Sequence, residues 1–237
     1  MTSLTAVAHR GDPYRARENT IDSLRSALDR GADAVEIDVR LTRDGVPVLL
    51  HDDTLKRLWE HDRPLLSLSA DEVRGLTDGR VPTLAEALEA TADSGDGSGS
   101  RLMLDLPGTR EVRVARRVVD VVREHQAQDR VYYCAGATAM LAVREADPSA
   151  EIALTWTTLA PPRPVLLDAV RPRWLNYRFG LIDRDLADRI HADGYLVSVW
   201  TPDTRRSMRR LAAAGVDSIT TNRVDVLCAL RAQANGS

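Results

Sequence analysis

A (β/α)8 barrel is the fold this sequence predicts, and two observations carry that expectation. Short β-rich runs alternate with amphipathic helical patterns from end to end, and the pair recurs eight times in 237 residues, which is the repeat count and length of such a barrel. The rival architecture, a doubly wound open sheet, calls for a G-x-G-x-x-G turn after the first strand, and none is present.

The elements follow in order. Strand-like runs are LTAVA (4–8), DAVEIDV (33–39), RLMLDL (101–106), VYYC (131–134), EIALTW (151–156), RWLN (173–176), YLVSVW (195–200) and DSITT (217–221). The helix candidates that follow them are NTIDSLRSALDRG, PTLAEALEATA, REVRVARRVVDVVREHQ, TAMLAVREAD, RPVLLDAV, DRDLADRIHADG, DTRRSMRRLAAAG and RVDVLCALRAQ. Several open on Thr or Asp at an N-cap position, Asn19 is the expected cap of the first, and four end near Gly or Asp. No stretch marks a boundary, so residues 1–237 are expected to form a single domain. The run DSGDGSGS (93–100) reads as a flexible surface loop, and PPRP (161–164) as a rigid turn before a helix.

One segment departs from plain alternation. VEIDVRLTRDGVPVLLHDD (35–53) reads as an extended β-hairpin continuing strand two. Asp44-Gly45 is a strong signal for a two-residue turn with positive φ, and that turn pairs residues whose numbers sum to 89, setting Asp38 opposite His51. Glu36 and Asp38 share a face because strand side chains alternate with a period of two. The turn is therefore expected to bring two carboxylates and an imidazole to one patch.

Composition narrows the function classes. A net charge of −3 offers nothing to a polyanion, so no nucleic-acid partner is expected. Lys56 is the sole lysine among many arginines, a bias better explained by genomic base composition than by phosphate recognition. Cys134 and Cys228 form no spaced metal motif and read as two buried reduced thiols. The N-terminus lacks a signal-peptide pattern and no 18-residue apolar stretch exists, so a cytoplasmic chain without a membrane span is expected.

Barrel chemistry sits at the C-terminal ends of strands. Those ends carry His9-Arg10-Gly11, Glu36 and Asp38, Asp105, Trp200-Thr201 and Thr220-Thr221-Asn222. Adjacent carboxylates repel and are costly to desolvate, so they share a proton or hold a cation. With Asp105 they make an all-oxygen set that suits one divalent cation, Mg2+ or Ca2+, better than zinc held by the histidines. Two histidines beside a metal suggest a general acid and a general base, and Arg10 suits an anionic group. Together these describe phosphoester cleavage.

HRG (9–11), ENT (18–20), EID (36–38), LTRDGVPVLLHDDTLKR (41–57), VPTLAEAL (81–88), VWT (199–201) and AGVDSITTN (214–222) stand in order along the chain. In these pieces the sequence resembles the glycerophosphodiester phosphodiesterase family. The resemblance implies a metal-dependent barrel that hydrolyses a small-molecule phosphodiester to sn-glycerol 3-phosphate and an alcohol. It implies His9 and His51 as the acid–base pair, Arg10 on the phosphate, and Glu36 and Asp38 on the metal. Glu18 would be a further polar member of the site, and Trp200 would line the substrate pocket. The departures are Asp105-Leu106-Pro107 for the usual Glu-x-Lys, Ala135 and Gly136 for an aromatic residue, and Asn222 where aspartate is common. Lysophospholipase D-type cleavage and a non-catalytic barrel that binds metal or phosphoester are the alternatives.

Other candidates read as bland. His61, His125 and His191 fall away from strand ends, and Trp59, Trp156 and Trp174 read as packing anchors, with Trp156 and Tyr177 also candidates for the pocket rim. LWEHDRPLLSLSADEVRGLTDG (58–79) reads as a long loop on the active face, where the family carries an insertion, and implies a more open site.

Overall fold

The computed structural model describes residues 4–92, 100–107 and 112–235. The run 93–99 lies outside the described residues. Strand β1 (Thr5–His9) pairs in parallel with β2 (Ala34–Leu41), whose outer end pairs antiparallel with the short β3 (Pro47–Leu49). The inner end of β2 pairs with β4 (Arg101–Asp105), and the parallel series continues through β5 (Val131–Ala135), β6 (Ile152–Trp156), β7 (Trp174–Arg178), β8 (Leu196–Trp200) and β9 (Ser218–Thr221). Since β9 pairs back onto β1, eight parallel strands close on themselves with no free edge. Every residue of β2 except Arg40 is buried, as a strand covered on both faces requires.

Eight helices complete the repeats: α1 (Ile21–Asp29), α4 (Leu84–Ala90), α5 (Val112–Glu124), α6 (Ala137–Ala146), α7 (Pro164–Val170), α8 (Arg184–Ala192), α9 (Arg205–Ala214) and α10 (Val224–Asn235). Two shorter ones, α2 (Lys56–Trp59) and α3 (Ala70–Leu76), lie between β3 and α4. Side-chain caps start several of them. Thr20, Ser69 and Thr83 each form a reciprocal capping box with Ser23, Glu72 and Glu86, each cap stabilising its helix by about 1 kcal/mol. The cap of α1 is thus Thr20, and Asn19 has another task. Among the described residues no helix is long and apolar enough to cross a membrane.

Apolar burial falls into three clusters. The largest lies between sheet and helices. A second fills the barrel below its mouth with Val7, Ala34, Met103, Tyr132, Ala153 and Trp174, the last stacking on Tyr132 at 6.4 Å. A third, with Val48, Leu50, Leu55, Trp59, Leu65, Leu68, Val73 and Val81, lies under residues 46–81. The segment 58–79 is therefore no loop. It is a small helical cap with its own core, and the cationic groups of Arg17 and Arg80 sit over Trp59 at 4.3 and 5.1 Å. Tyr177 is 1% exposed among the outer core side chains and does not reach the barrel mouth. Both cysteines are free, but only Cys134 is buried, and Cys228 is half-buried.

The hairpin register differs by one residue from the two-residue turn. Thr42 N–H donates to Val46 O at 3.0 Å, and Val39 pairs with Leu49, so paired numbers sum to 88. A two-residue type I′ turn needs positive φ at both central residues. Here Gly45 alone has it, at 80°. The Asp44 carboxylate accepts bonds from Thr42 Oγ1 at 2.5 Å and from Ala70 N–H at 3.1 Å, anchoring the turn to the start of α3. The result is a three-residue loop with glycine in the left-handed position. Leu50, whose N–H donates to Asp38 O at 3.0 Å, lies opposite Asp38, and His51 follows beyond the paired stretch.

Candidate active site

The site begins with a sharp turn at the end of β1. Arg10 and Gly11 both have left-handed backbones, with φ of 59° and 88°. A Cβ on Gly11 would stand 2.4 Å from Ser23 Oγ and 2.6 Å from the Ser23 carbonyl carbon, so only glycine fits. The turn aims Arg10 N–H at Glu36 Oε2, 2.9 Å away. The Arg10 guanidinium folds back onto two acids. Its Nη1 donates to Glu18 Oε1 at 2.9 Å, while its Nε pairs with Asp38 Oδ2 at 3.1 Å without hydrogen-bond alignment.

Strand registers His9↔Glu36 and Asp38↔Asp105 bring the acids together. Carboxylate oxygens of Glu36, Asp38 and Asp105 lie within 4.8 Å of one another. Asn19, left-handed at φ 57°, locks the middle one: its Nδ2 donates to Asp38 Oδ2 at 2.8 Å and its Oδ1 accepts Asp38 N–H at 3.2 Å. Burial, then the charges of Asp38 and Asp105, push Glu36 well above the usual carboxylate range. Burial and Asp38 push Asp105 up to about 7. A buried acid set that favours protons is a set short of positive charge. The donors are all oxygen, with Arg10 as the cation beside them, so the residues fit a hard divalent cation and offer nothing to a thiolate-seeking metal.

Both histidines have one ring nitrogen tied to an acceptor. His9 Nδ1 lies 2.7 Å from Asn222 Oδ1. Asp203 decides which way that amide faces, because its carboxylate accepts from Asn222 Nδ2 at 2.8 Å and from Asn222 N–H at 3.0 Å. Asn222 Oδ1 is thereby turned to His9, whose Nδ1–H donates to it. This leaves His9 Nε2, 3.9 Å from Glu36 Oε2, with its lone pair toward the acids. Burial, then the Arg10 charge, lower the His9 pKa. His51 Nδ1–H donates to Asp52 Oδ1 at 2.7 Å, so its free nitrogen is again Nε2.

A cavity of about 270 Å³ opens at this end of the barrel. His9, Arg10, Glu36, His51, Asp105 and Trp200 line it. Asp38 and Glu18 do not; they stand behind Arg10 and hold it. Opposite are Cys134, Thr155, Asn176 and Thr220, and Pro107, Ala135 and Gly136 complete the lining. Trp156 and Tyr177 take no part. His61 and His191 bond elsewhere, to Leu76 O and Asp217, and His125 stands 3.6 Å from Glu89.

Sequence reasoning missed four supporting groups: Asn19 on Asp38, Asp52 on His51, Asp203 with Asn222 on His9, and the Cys134–Thr155–Asn176 wall. The neighbour position of Asp52 was a usable signal. For Asp203, in the loop after β8, there was none.

A closed parallel barrel that gathers three carboxylates, two histidines and an arginine at one end carries the groups that a phosphoric diester hydrolase uses. Comparison with known proteins makes this specific. Residues 9–226 match the glycerophosphoryl diester phosphodiesterase family. A glycerophosphodiester phosphodiesterase of Caldanaerobacter subterraneus subsp. tengcongensis is 27% identical over 236 residues, spanning 93% of this chain and 95% of that one. A rat protein, glycerophosphodiester phosphodiesterase 1, is 40% identical over 97 residues, 36% of this chain and 29% of its own length. A phosphodiesterase of Oleispira antarctica, solved with the product sn-glycerol 3-phosphate, superposes with a TM-score of 0.83 at 26% identity, covering 98% of this chain and 97% of that one. The chain belongs to the glycerophosphoryl diester phosphodiesterase family.

Proposed function

We propose that this chain hydrolyses glycerophosphodiesters to sn-glycerol 3-phosphate and an alcohol, with Glu36, Asp38 and Asp105 holding one Mg2+ or Ca2+ and His9 and His51 moving the protons. The observation that carries the reading is that His9, Arg10, Glu36, His51 and Asp105 line one cavity at the barrel mouth, with an Asp38 oxygen within 4.8 Å of the other two acids behind them. The product bound by the Oleispira antarctica relative supports the substrate class.

When bound, the divalent cation supplies positive charge that polarises a phosphoryl oxygen. Arg10 neutralises the anionic phosphate and orients it. His9, kept neutral near pH 7 by burial and the Arg10 charge, takes the proton of the attacking oxygen at Nε2. His51, oriented by its Nδ1 bond to the Asp52 carboxylate, delivers a proton from Nε2 to the leaving alcohol oxygen. Trp200, with a buried indole N–H that has no partner among the described residues, stands ready to hydrogen-bond the substrate. One water is consumed over the cycle.

His9→Ala and His51→Ala are each expected to lower turnover of glycerophosphocholine by about 10²- to 10⁴-fold. Turnover within a few-fold of wild type for either variant would show that the assignment is wrong.

A further inference from the structure

One side chain outside the cavity bonds two carboxylates that each hold a member of it. Arg57 lies on α2 between Leu55 and Trp59, both buried in the third apolar cluster, so its backbone is fixed while its side chain stays 45% exposed. Its fork spans two carboxylates from different segments. Nη2 and Nη1 donate to Glu18 Oε1 and Oε2 at 2.7 and 3.1 Å, and Nε donates to Asp52 Oδ2 at 2.6 Å. Each carboxylate passes the contact on. Glu18 Oε1 also accepts from Arg10 Nη1 at 2.9 Å, and Asp52 Oδ1 accepts from His51 Nδ1 at 2.7 Å. The chain His51–Asp52–Arg57–Glu18–Arg10 is unbroken.

We propose that Arg57 is a positioning residue that sets His51 and Arg10 relative to each other, so that proton donor and phosphate clamp meet the substrate as one rigid pair. The proposal rests on the roles given above to His51 and Arg10. Only arginine has the donors and the planar fork to hold both acids at once; lysine is a single point charge on a flexible stem. The Arg57 bond, assisted by His51, holds Asp52 down to about 2, so its carboxylate stays an acceptor for the imidazole at any working pH. Burial pushes Glu18 up, and the bonds from Arg57 and Arg10 more than offset it. With Arg57 gone, both carboxylates are free to rotate, and their hold on His51 and Arg10 loosens.

The test is a kinetic comparison of Arg57→Met and Arg57→Lys with wild type on glycerophosphoethanolamine, alongside thermal melts. Arg57→Met is expected to lower kcat/KM about 10²-fold through misplacement alone, with kcat falling and KM rising together. Its melting temperature should stay within a few degrees, because the fork is at the surface. Arg57→Lys should restore part of kcat or part of KM. In a double-mutant cycle, Asp52→Asn should cost far less kcat in the Arg57→Met background than alone. Turnover of Arg57→Met within twofold of wild type overturns the proposal, as does a cycle in which the two losses simply multiply. Should Arg57→Met not fold, Arg57→Lys carries the test, and wild-type kcat and KM in it overturn the proposal. An active His51→Ala would instead sink the role of His51 itself, so the two failures are distinguishable.

Discussion

The two halves of the barrel mouth are built differently. Strands β1, β2 and β4 and the turn after β1 carry His9, Arg10, Glu36, Asp38 and Asp105, every one ionisable. Strands β5, β6, β7 and β9 present Cys134, Thr155, Asn176 and Thr220, all small and uncharged at neutral pH. Three of these four are bonded together: Asn176 Nδ2 donates to Cys134 Sγ and Thr155 Oγ1, both at 3.2 Å, and burial and the nearby Asp105 push the Cys134 thiol up, keeping it protonated. Concentrating charge on adjacent strands would let one cation compensate three acids. A neutral opposite wall would leave that cation and a phosphate without a competitor.

The largest effect expected to separate the halves is on stability. Asp38→Ala removes the partner of Arg10 and Asn19 inside a buried network, and a cost of about 3–5 kcal/mol in urea unfolding is expected. A cost under about 1 kcal/mol would show that the charged half does not depend on its pairing.

Next in size is a pH effect confined to the charged half. Asp105 sits at about 7 in the folded chain against an ordinary 3.8, and Glu36 is shifted the same way. The folded chain therefore binds more protons than the unfolded one between about pH 4 and 7. Stability of the metal-free protein is fully present below that window and falls as pH rises through it. Chemical denaturation in chelator at pH 4.5, 5.5, 6.5 and 7.5 should show the decline, and saturating Mg2+ or Ca2+ should remove it, since cation and proton compete for the same oxygens. A stability that rises across the window in chelator would contradict the compensation argument.

Smaller again is the effect of the support that crosses between the halves. Asp203→Asn removes the carboxylate that orients Asn222 toward His9. A loss of turnover of about 10- to 100-fold is expected, the range for partners that orient a functional histidine. The 15N shifts of the His9 ring should report a change of tautomer. The smallest effect belongs to the neutral half: Thr155→Val should cost about 1 kcal/mol or less and leave kcat within a few-fold.

The sequence-level reading did well where period and burial act together. The eight strand–helix repeats were legible because strands covered on both faces must be near-continuous apolar runs, and acids inside such runs, as at Glu36 and Asp38, are conspicuous anomalies. The hairpin register was not legible. Asp-Gly serves both a two-residue and a three-residue turn, and the choice was made by a tertiary bond from Ala70 to Asp44. The helical cap at 58–79 was missed because α2 and α3 have 4 and 7 residues, too short to show a period, although Ser69-x-x-Glu72 was a readable capping box. Arg57, Asp203 and Asn19 are polar residues in loops or short turns. Asn19 and Arg57 fall inside recognisable motifs, but nothing local tells what they bond until the fold brings their partners to them.

The central claim is that the three acids of the charged half serve a cation. The most direct measurement is release of sn-glycerol 3-phosphate from glycerophosphoethanolamine by protein stripped with chelator, before and after Mg2+ or Ca2+ is restored. Turnover is expected to be lost on stripping and to recover with one of the two ions. Undiminished turnover by the stripped protein would contradict the claim.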